Sequence, residues 1–263
     1  MSWDFWHVVE CLVAATADCI KWPTAPERRA LVGAMAEFVE GRGPAPIGIV
    51  DGTAQYVRRP GPDEALYYNG RKKRHFVNHL VVCDWRGCII AVRAGFTGKT
   101  HDGVAYRSTD LYERRGQFFH QGQTLLADCG FRGCQLITPI LARQDRALTG
   151  EELAFNRVVR RYRVVVEFVF GALKNKFRIL SNVWRFSLER APVVFALCCQ
   201  LFNFYMAKSG KYVRDRNFQA GRVLADWEAG LLRRVGGDWA NTEREQVRRF
   251  FASAEGHALF DNW

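Results

Sequence analysis

Three acids stand where an acid can do chemistry. The run Ile47 to Thr53, IGIVDGT, is apolar and β-branched up to Asp51 and is punctuated by Gly48 and Gly52. That is the pattern of a buried strand that presents a carboxylate and leaves room for another backbone or a ligand to come close. The pattern repeats at Thr124 to Gly130, TLLADCG, where Asp128 follows the apolar run. Glu167 is a lone acid on a basic face of a later helical stretch. Carboxylates gathered from separate elements are natural ligands for hard divalent cations such as Mg²⁺ or Mn²⁺. Taken singly, each has a plainer reading. Asp51-Gly52 can be a turn after a core strand, and Glu167 can pair with Arg163 or Lys174 at helical spacing.

The elements that would position these acids follow from periodicity. Residues 1 to 40 read as two helices, with apolar positions at Trp6, Val9, Val13 and again at Leu31, Met35 and Phe38, broken by the Pro23 to Pro26 segment. Gly41 to Pro46 reads as a linker into the central strand, which continues past Asp51 through Tyr56 and Val57. Phe76 to Cys83 and Cys88 to Ala94 are two apolar runs around Asp84-Trp85-Arg86-Gly87, the signature of a hairpin. A helix over about 102 to 114 could be capped by Thr100 or Asp102. Thr124 to Ala127 predicts a fourth strand and Gln135 to Leu141 a fifth, with the last two parallel. From Glu151 to Leu180 the period becomes helical. Asn156, Arg160, Arg163, Glu167, Gly171, Lys174 and Arg178 share one face, and Ala154, Val158, Tyr162, Val165, Val169 and Ala172 form the opposite stripe.

Composition narrows the function classes. The net charge of +11 draws the chain toward polyanions, of which nucleic acid is the commonest for a basic protein. Tyr67 and Tyr68 followed by Arg71-Lys72-Lys73-Arg74-His75 suit a phosphate backbone with nearby bases, but also a solvated charge run or a nuclear-import signal. The N-terminus lacks a positive n-region, so no secretory signal is expected, and Pro192 to Ala207 reads as a buried helix rather than a membrane span. The eight cysteines read as free thiols. Two C-x4-C pairs, Cys83/Cys88 and Cys129/Cys134, have no nearby histidine or knuckle glycine to support zinc. The segment 211 to 263 is a mixed-charge tail with helical stretches around 221 to 235 and 243 to 252 and no legible function.

Three strands in meander order, a helix, a strand, a connection, another strand and a long helix is the element order of an α/β, RNase H-like fold: a five-stranded mixed sheet flanked by helices, with added N- and C-terminal helices. Such a fold sets Asp51, Asp128 and Glu167 at one edge of the sheet. The chain also resembles the nuclease domains of PIF/Harbinger transposases and their domesticated relatives over roughly Cys19 to Lys208. The resemblance rests on Ile20-Lys21-Trp22-Pro23, the Ile47 to Thr53 run, Tyr67-Tyr68-Asn69-Gly70, Gly98 to Asp102, Leu125 to Phe131 and, above all, Val166 to Leu180. Departures are Ala54 where a histidine often follows, Cys129 and Phe131 where serine and tyrosine are usual, and Gly103 after the His-Asp pair.

That resemblance implies a DDE triad of Asp51, Asp128 and Glu167, binding two Mg²⁺ or Mn²⁺ ions for phosphodiester cleavage, with Asp102 and His101 as accessory groups. DNA would lie along Arg71, Lys72, Lys73 and Arg74 and along Arg160, Arg163, Lys174 and Arg178, contacts that position a backbone without reading sequence. It further implies a nuclear protein, a homo-oligomer in some members, and a separate Myb/SANT-like protein to read the target. Residues 1 to 40 show no basic recognition helix. The expected organisation is an N-terminal cap and linker over 1 to 46, the nuclease domain over 47 to 208 and a helical extension over 209 to 263. The rival expectation is a transposase-derived protein that keeps the basic surface as a DNA-binding or scaffold protein and no longer cuts.

Overall fold

A computed structural model describes residues 3 to 33, 44 to 61, 63 to 120, 122 to 142 and 144 to 209. The expected helical tail beyond 209, and Met35 and Phe38, lie outside the described residues. In chain order the elements are α1 (Trp3–Ala15), a 3₁₀ turn (Ala17–Cys19), α2 (Ala25–Gly33), β1 (Ala45–Tyr56), α3 (Glu64–Tyr67) and β2 (Tyr68–Asn69). There follow β3 (Arg74–Cys83), β4 (Ile89–Thr97), three short helices α4 (Asp102–Arg107), α5 (Asp110–Glu113) and α6 (Arg115–Phe118), and β5 (Gln123–Leu126). A 3₁₀ turn (Cys129–Phe131) leads on to the long α7 (Gly150–Lys176), then α8 (Arg178–Ser181) and α9 (Arg190–Ser209).

The sheet is five-stranded and mixed. β1, β3 and β4 form the antiparallel meander, β5 joins β1 in parallel, and the two-residue β2 pairs with the start of β3. Phe76 to Cys83 is buried at every position because helices cover both faces, so the run does not alternate with polar residues. α7 and α9 lie on the face that carries Asp51; there His79 of β3 stacks flat on Phe195 of α9, their ring centroids 3.9 Å apart. α4 covers the other face, where Trp22 inserts beside Phe118 and Phe119. Asn203 of α9 accepts from the Ile89 N–H and donates to the Ile89 and Cys19 carbonyls, tying edge strand β4 and the N-terminal segment to one side chain.

Several expectations need correction. Ala45 and Pro46 belong to β1 rather than to a linker, and the strand runs on past Asp51 to Tyr56 as expected. The fifth strand is β2; the expected one over Gln135 to Leu141 shrinks to a single parallel bridge between Leu126 and Ile137. Gly133 and Gln135 both take positive φ just before it, and Pro139 follows without an N–H to give. The helix over 102 to 114 breaks at Ser108, and its neighbours are separate turns.

α7 starts sharply because Thr149 and Glu152 form a capping box, Thr149 accepting from the Glu152 N–H and Glu152 from the Thr149 N–H, worth about 1 kcal/mol. Its buried stripe runs through Phe155, Val159, Val166, Val169 and Leu173 as well as Ala154 and Val158. Among the described residues α9 is the one helix long and apolar enough to cross a bilayer, and half of that window is buried inside the protein.

Candidate active site

The backbone ladder brings the two aspartates together. β1 and β5 run parallel with Ile49 opposite Leu126, so two residues further along each strand direction the chain reaches Asp51 on one side and Asp128 on the other. Asp128 lies just past the end of β5 and opens the 3₁₀ turn, its carboxylate accepting from the Gly130 N–H at 2.7 Å. Asp51 is mostly buried, accepts from the Gly52 N–H at 2.8 Å, and faces the Arg163 guanidinium of α7 at 3.7 Å. Its carboxyl is pushed up to about 6, chiefly by burial and further by the charges of Asp128 and Asp102, against the opposing pulls of the Gly52 N–H and Arg163.

Asp102 is not a helix cap. The position preceding α4 is His101, exposed and without a side-chain cap, while Thr100 turns to the Thr97 hydroxyl. Asp102 instead accepts from buried Asn78 of β3 at 2.6 Å and lies against the bare Cα of Gly52, on the opposite face of β1 from Asp51. Burial raises its pKa, the Asn78 bond opposes this, and Asp128 adds to the rise. Asn78 escaped the sequence reading, although a polar pair, Asn78-His79, inside a buried apolar run was its signal. A Cβ at position 52 would sit 2.3 Å from Asp102 Oδ1. Gly52→Ala is therefore expected to destabilise the protein by about 1–3 kcal/mol, because the clash breaks the Asn78–Asp102 bond. An unchanged urea midpoint would show that Asp102 is not held there.

Glu167 is exposed on α7, one turn beyond Arg163. Among the described residues no three His, Cys, Asp or Glu side chains are arranged to hold a metal ion. The structure thus sets Asp51 beside Asp128, with a guanidinium facing Asp51, Asp102 on the opposite face of β1, and Glu167 on the surface of α7.

The basic residues fall in two groups that meet. Arg71, Lys72 and Lys73 form the exposed turn before β3, with Lys73 at φ +50, and Arg74 is the exposed first residue of that strand. Lys72 lies over Phe76 and Arg74 over Tyr56, so these rings support the bases rather than offering a face to nucleobases; of the two tyrosines, Tyr68 is the exposed one. On α7, Arg160 is exposed, and Arg178 is exposed at the start of α8. Lys174 donates to the Ala54 carbonyl at 3.1 Å, and burial followed by the nearby Lys72 charge lowers its pKa. The turn and the helix are therefore one electropositive surface beside the aspartates.

A five-stranded mixed sheet with helices on both faces, carrying one aspartate on β1 and another just past the end of its neighbour β5, is an RNase H-like DDE architecture. The sequence profile of the DDE superfamily endonucleases matches residues 50–203, more than half of the chain, and the chain belongs to that family. It is 28% identical over 202 residues to the Bos taurus protein titled "Putative nuclease HARBI1" and 27% identical to the Homo sapiens protein of that title. Each of these alignments covers 75% of this chain and 56% of the relative, so the chain spans a little over half the length of those proteins. A "Probable transposase for insertion sequence element IS702" from Microchaete diplosiphon is 26% identical over 208 residues, covering 77% of this chain and 72% of that protein. No solved structure gave a significant match.

Proposed function

We propose that this chain is the nuclease core of a Harbinger-type transposase or a domesticated descendant, cutting or joining DNA strands with divalent metal. The observation that supports it most is the pairing of Ile49 with Leu126, which sets Asp51 beside Asp128 on parallel neighbours. The donor chemistry fits a hard cation. The carboxyl of Asp51 is mostly buried beside a second acid, Asp128, and the guanidinium nearest to it stands off at 3.7 Å, so the pair offers oxygen donors whose charge is not fully compensated. Asp51 and Asp128 would hold Mg²⁺ or Mn²⁺, with Glu167 completing the set by swinging in from the surface of α7. Such ions, two in the DDE reading, would activate the attacking oxygen and neutralise charge on the phosphoryl group. Asp102, anchored by Asn78, would fix the backbone at Gly52 and so the aim of Asp51. Arg160, Arg163, Lys174 and Arg178 would hold the DNA backbone in place.

The test is conversion of supercoiled plasmid to nicked circles. Nicking is expected with Mg²⁺ or Mn²⁺ and lost in excess chelator; nicking that persists in chelator overturns the reading. The rival, a DNA-binding or scaffold protein that does not cut, draws on the exposed position of Glu167 and on Arg163 at Asp51, and predicts tight DNA binding with no metal-dependent nicking.

DNA is the proposed partner, in the nucleus, with a Myb/SANT-like protein reading the sequence and a homo-oligomer pairing the two DNA ends. Binding by the core itself is expected to be weakly sequence-dependent and strongly salt-dependent, with a log–log slope of roughly −0.9 for each phosphate neutralised. Changing Arg71, Lys72, Lys73 and Arg74 to Ala should flatten that slope in fluorescence-anisotropy titrations. A slope left unchanged would move the DNA to another surface.

A further inference from the structure

We propose that Arg163 is a counter-ion shared between the metal-free carboxylate site and the DNA backbone, so that divalent cation and DNA bind cooperatively. The proposal rests on the reading of Asp51 as a metal ligand.

The geometry around Arg163 is that of a side chain in temporary employment. Its Nη2 stands 3.7 Å from Asp51 Oδ2, too far for the charge-assisted hydrogen bond that a guanidinium makes with a committed carboxylate partner, normally about 2.7–2.9 Å. Both side chains are mostly buried, at 17% and 16% exposure, so the contact is shielded from water without being closed. Arg163 Nε is also buried and has no hydrogen-bond partner. A buried guanidinium with an orphaned donor costs free energy unless something else holds it there. What holds it is charge. The acids of β1 and β5 repel one another, and Arg163 supplies the compensation that a divalent cation would supply better.

Two consequences follow. A cation entering between Asp51 and Asp128 removes the reason for Arg163 to stay, and the guanidinium is freed toward the surface of α7. Arg160 and Glu167, one turn to either side, are exposed there. A phosphate then satisfies the donors that Asp51 leaves unmet, since the guanidinium fork matches two phosphate oxygens. In the other direction, DNA that draws Arg163 away leaves Asp51 uncompensated and raises its appetite for a cation. Reciprocity is required by thermodynamics: whatever factor metal adds to DNA affinity, DNA adds to metal affinity. The free protein is thereby kept from loading metal tightly before DNA is present.

The test uses Ca²⁺ as the metal and a short duplex as the DNA, at constant ionic strength, with two binding measurements. In wild type, Ca²⁺ should tighten duplex binding by about 5-fold or more, within the usual range for coupled sites. In calorimetry without DNA, Arg163→Gln should bind Ca²⁺ several-fold more tightly than wild type and show a reduced coupling factor. Arg163→Lys, which keeps a charge but not the fork, should fall between. Arg160→Gln removes an exposed charge from the same helix; it should weaken DNA binding yet leave both Ca²⁺ affinity and the coupling factor at wild-type values. If Asp51→Asn and wild type bind Ca²⁺ alike, the metal-site reading falls and this proposal with it. If Ca²⁺ binding depends on Asp51 but Arg163→Gln and Arg163→Lys leave both affinity and coupling unchanged, the metal site stands and the proposal alone is overturned.

Discussion

Asp51→Asn, Asp128→Asn and Glu167→Gln are each expected to lose metal-dependent nicking by more than about a hundredfold. That figure is the upper end of what removing an outer-shell partner of a metal ligand costs, and a ligand itself should cost more. The three changes keep size and shape, so what is removed is one negative oxygen donor. Asp102→Asn provides the internal comparison. Asp102 touches Asn78 and the backbone at Gly52, not the face of β1 that carries Asp51, and its loss should fall in the 10- to 100-fold range of a group that orients a ligand. Plasmid nicking followed with Mn²⁺ separates the two classes. If the three acids and Asp102 give equal losses, the division into ligands and support is wrong; if the three variants nick like wild type, the active-site assignment is wrong.

The second large effect is on stability and has opposite signs with and without metal. Without metal, an ionised Asp51 is a liability. Its carboxyl titrates at about 6 in the folded protein against an ordinary value of 3.8, so the stability contributed by the neutral form is fully present below the unfolded value and is lost as pH rises through about 6. Two units correspond to about 2–3 kcal/mol by pH 7.5, and for a domain of this size each kcal/mol moves the melting temperature by roughly 2–4 °C. Asp51→Asn in EDTA is therefore expected to melt about 5 °C or more above wild type at pH 7.5, and the gap should close toward pH 4. Mn²⁺ reverses the order. A cation bound only by the folded state adds about 2.7 kcal/mol at a hundred times its Kd, and the variant has lost the oxygen that binds it. Melting curves at two pH values, with and without Mn²⁺, check all of this. Asp51→Asn destabilised in EDTA at pH 7.5, together with a wild type indifferent to Mn²⁺, would reduce Asp51 to a structural strand residue.

What could be read from the chain was what is local. The apolar run into Asp51, the hairpin around Asp84 to Gly87 and the long helix carrying Arg163 and Glu167 each declare themselves within a dozen residues, and the structure places β1, β3, β4 and α7 there. The misses share one physical cause, a partner distant in sequence. Asp102 looks like a helix cap until Asn78 reaches it from 24 residues away. Gln135 to Leu141 has the composition of a strand, but only Ile137 finds a bridge before Pro139 turns the chain. On α7, periodicity gives the width of an apolar stripe and not the direction from which it is covered. With β1, β3, β5 and α9 all packing against it, the buried set widens to include Val159 and Val166 beside the basic face. Arg163 was legible as a base near an acid on one helix; that its nearest acid is Asp51, from a strand more than a hundred residues earlier, was not.

The pairing of Ile49 with Leu126 also decides how such a chain can change over time. Because the nearness of the two aspartates is set by a hydrogen-bonded ladder, the length of chain between them is nearly irrelevant to it. The connections that follow β1 and precede β5 can grow or shrink while Asp51 keeps its neighbour. Past the register shift between Pro46 and Ile49 there is no such freedom. Removing a single residue between Ile49 and Asp51 would turn the carboxylate to the side of the sheet held by Asp102 and Asn78, since successive strand residues point to opposite faces. Lineages of this fold should therefore record their history as insertions in the loops and almost none in the residues from Ile49 to Thr53.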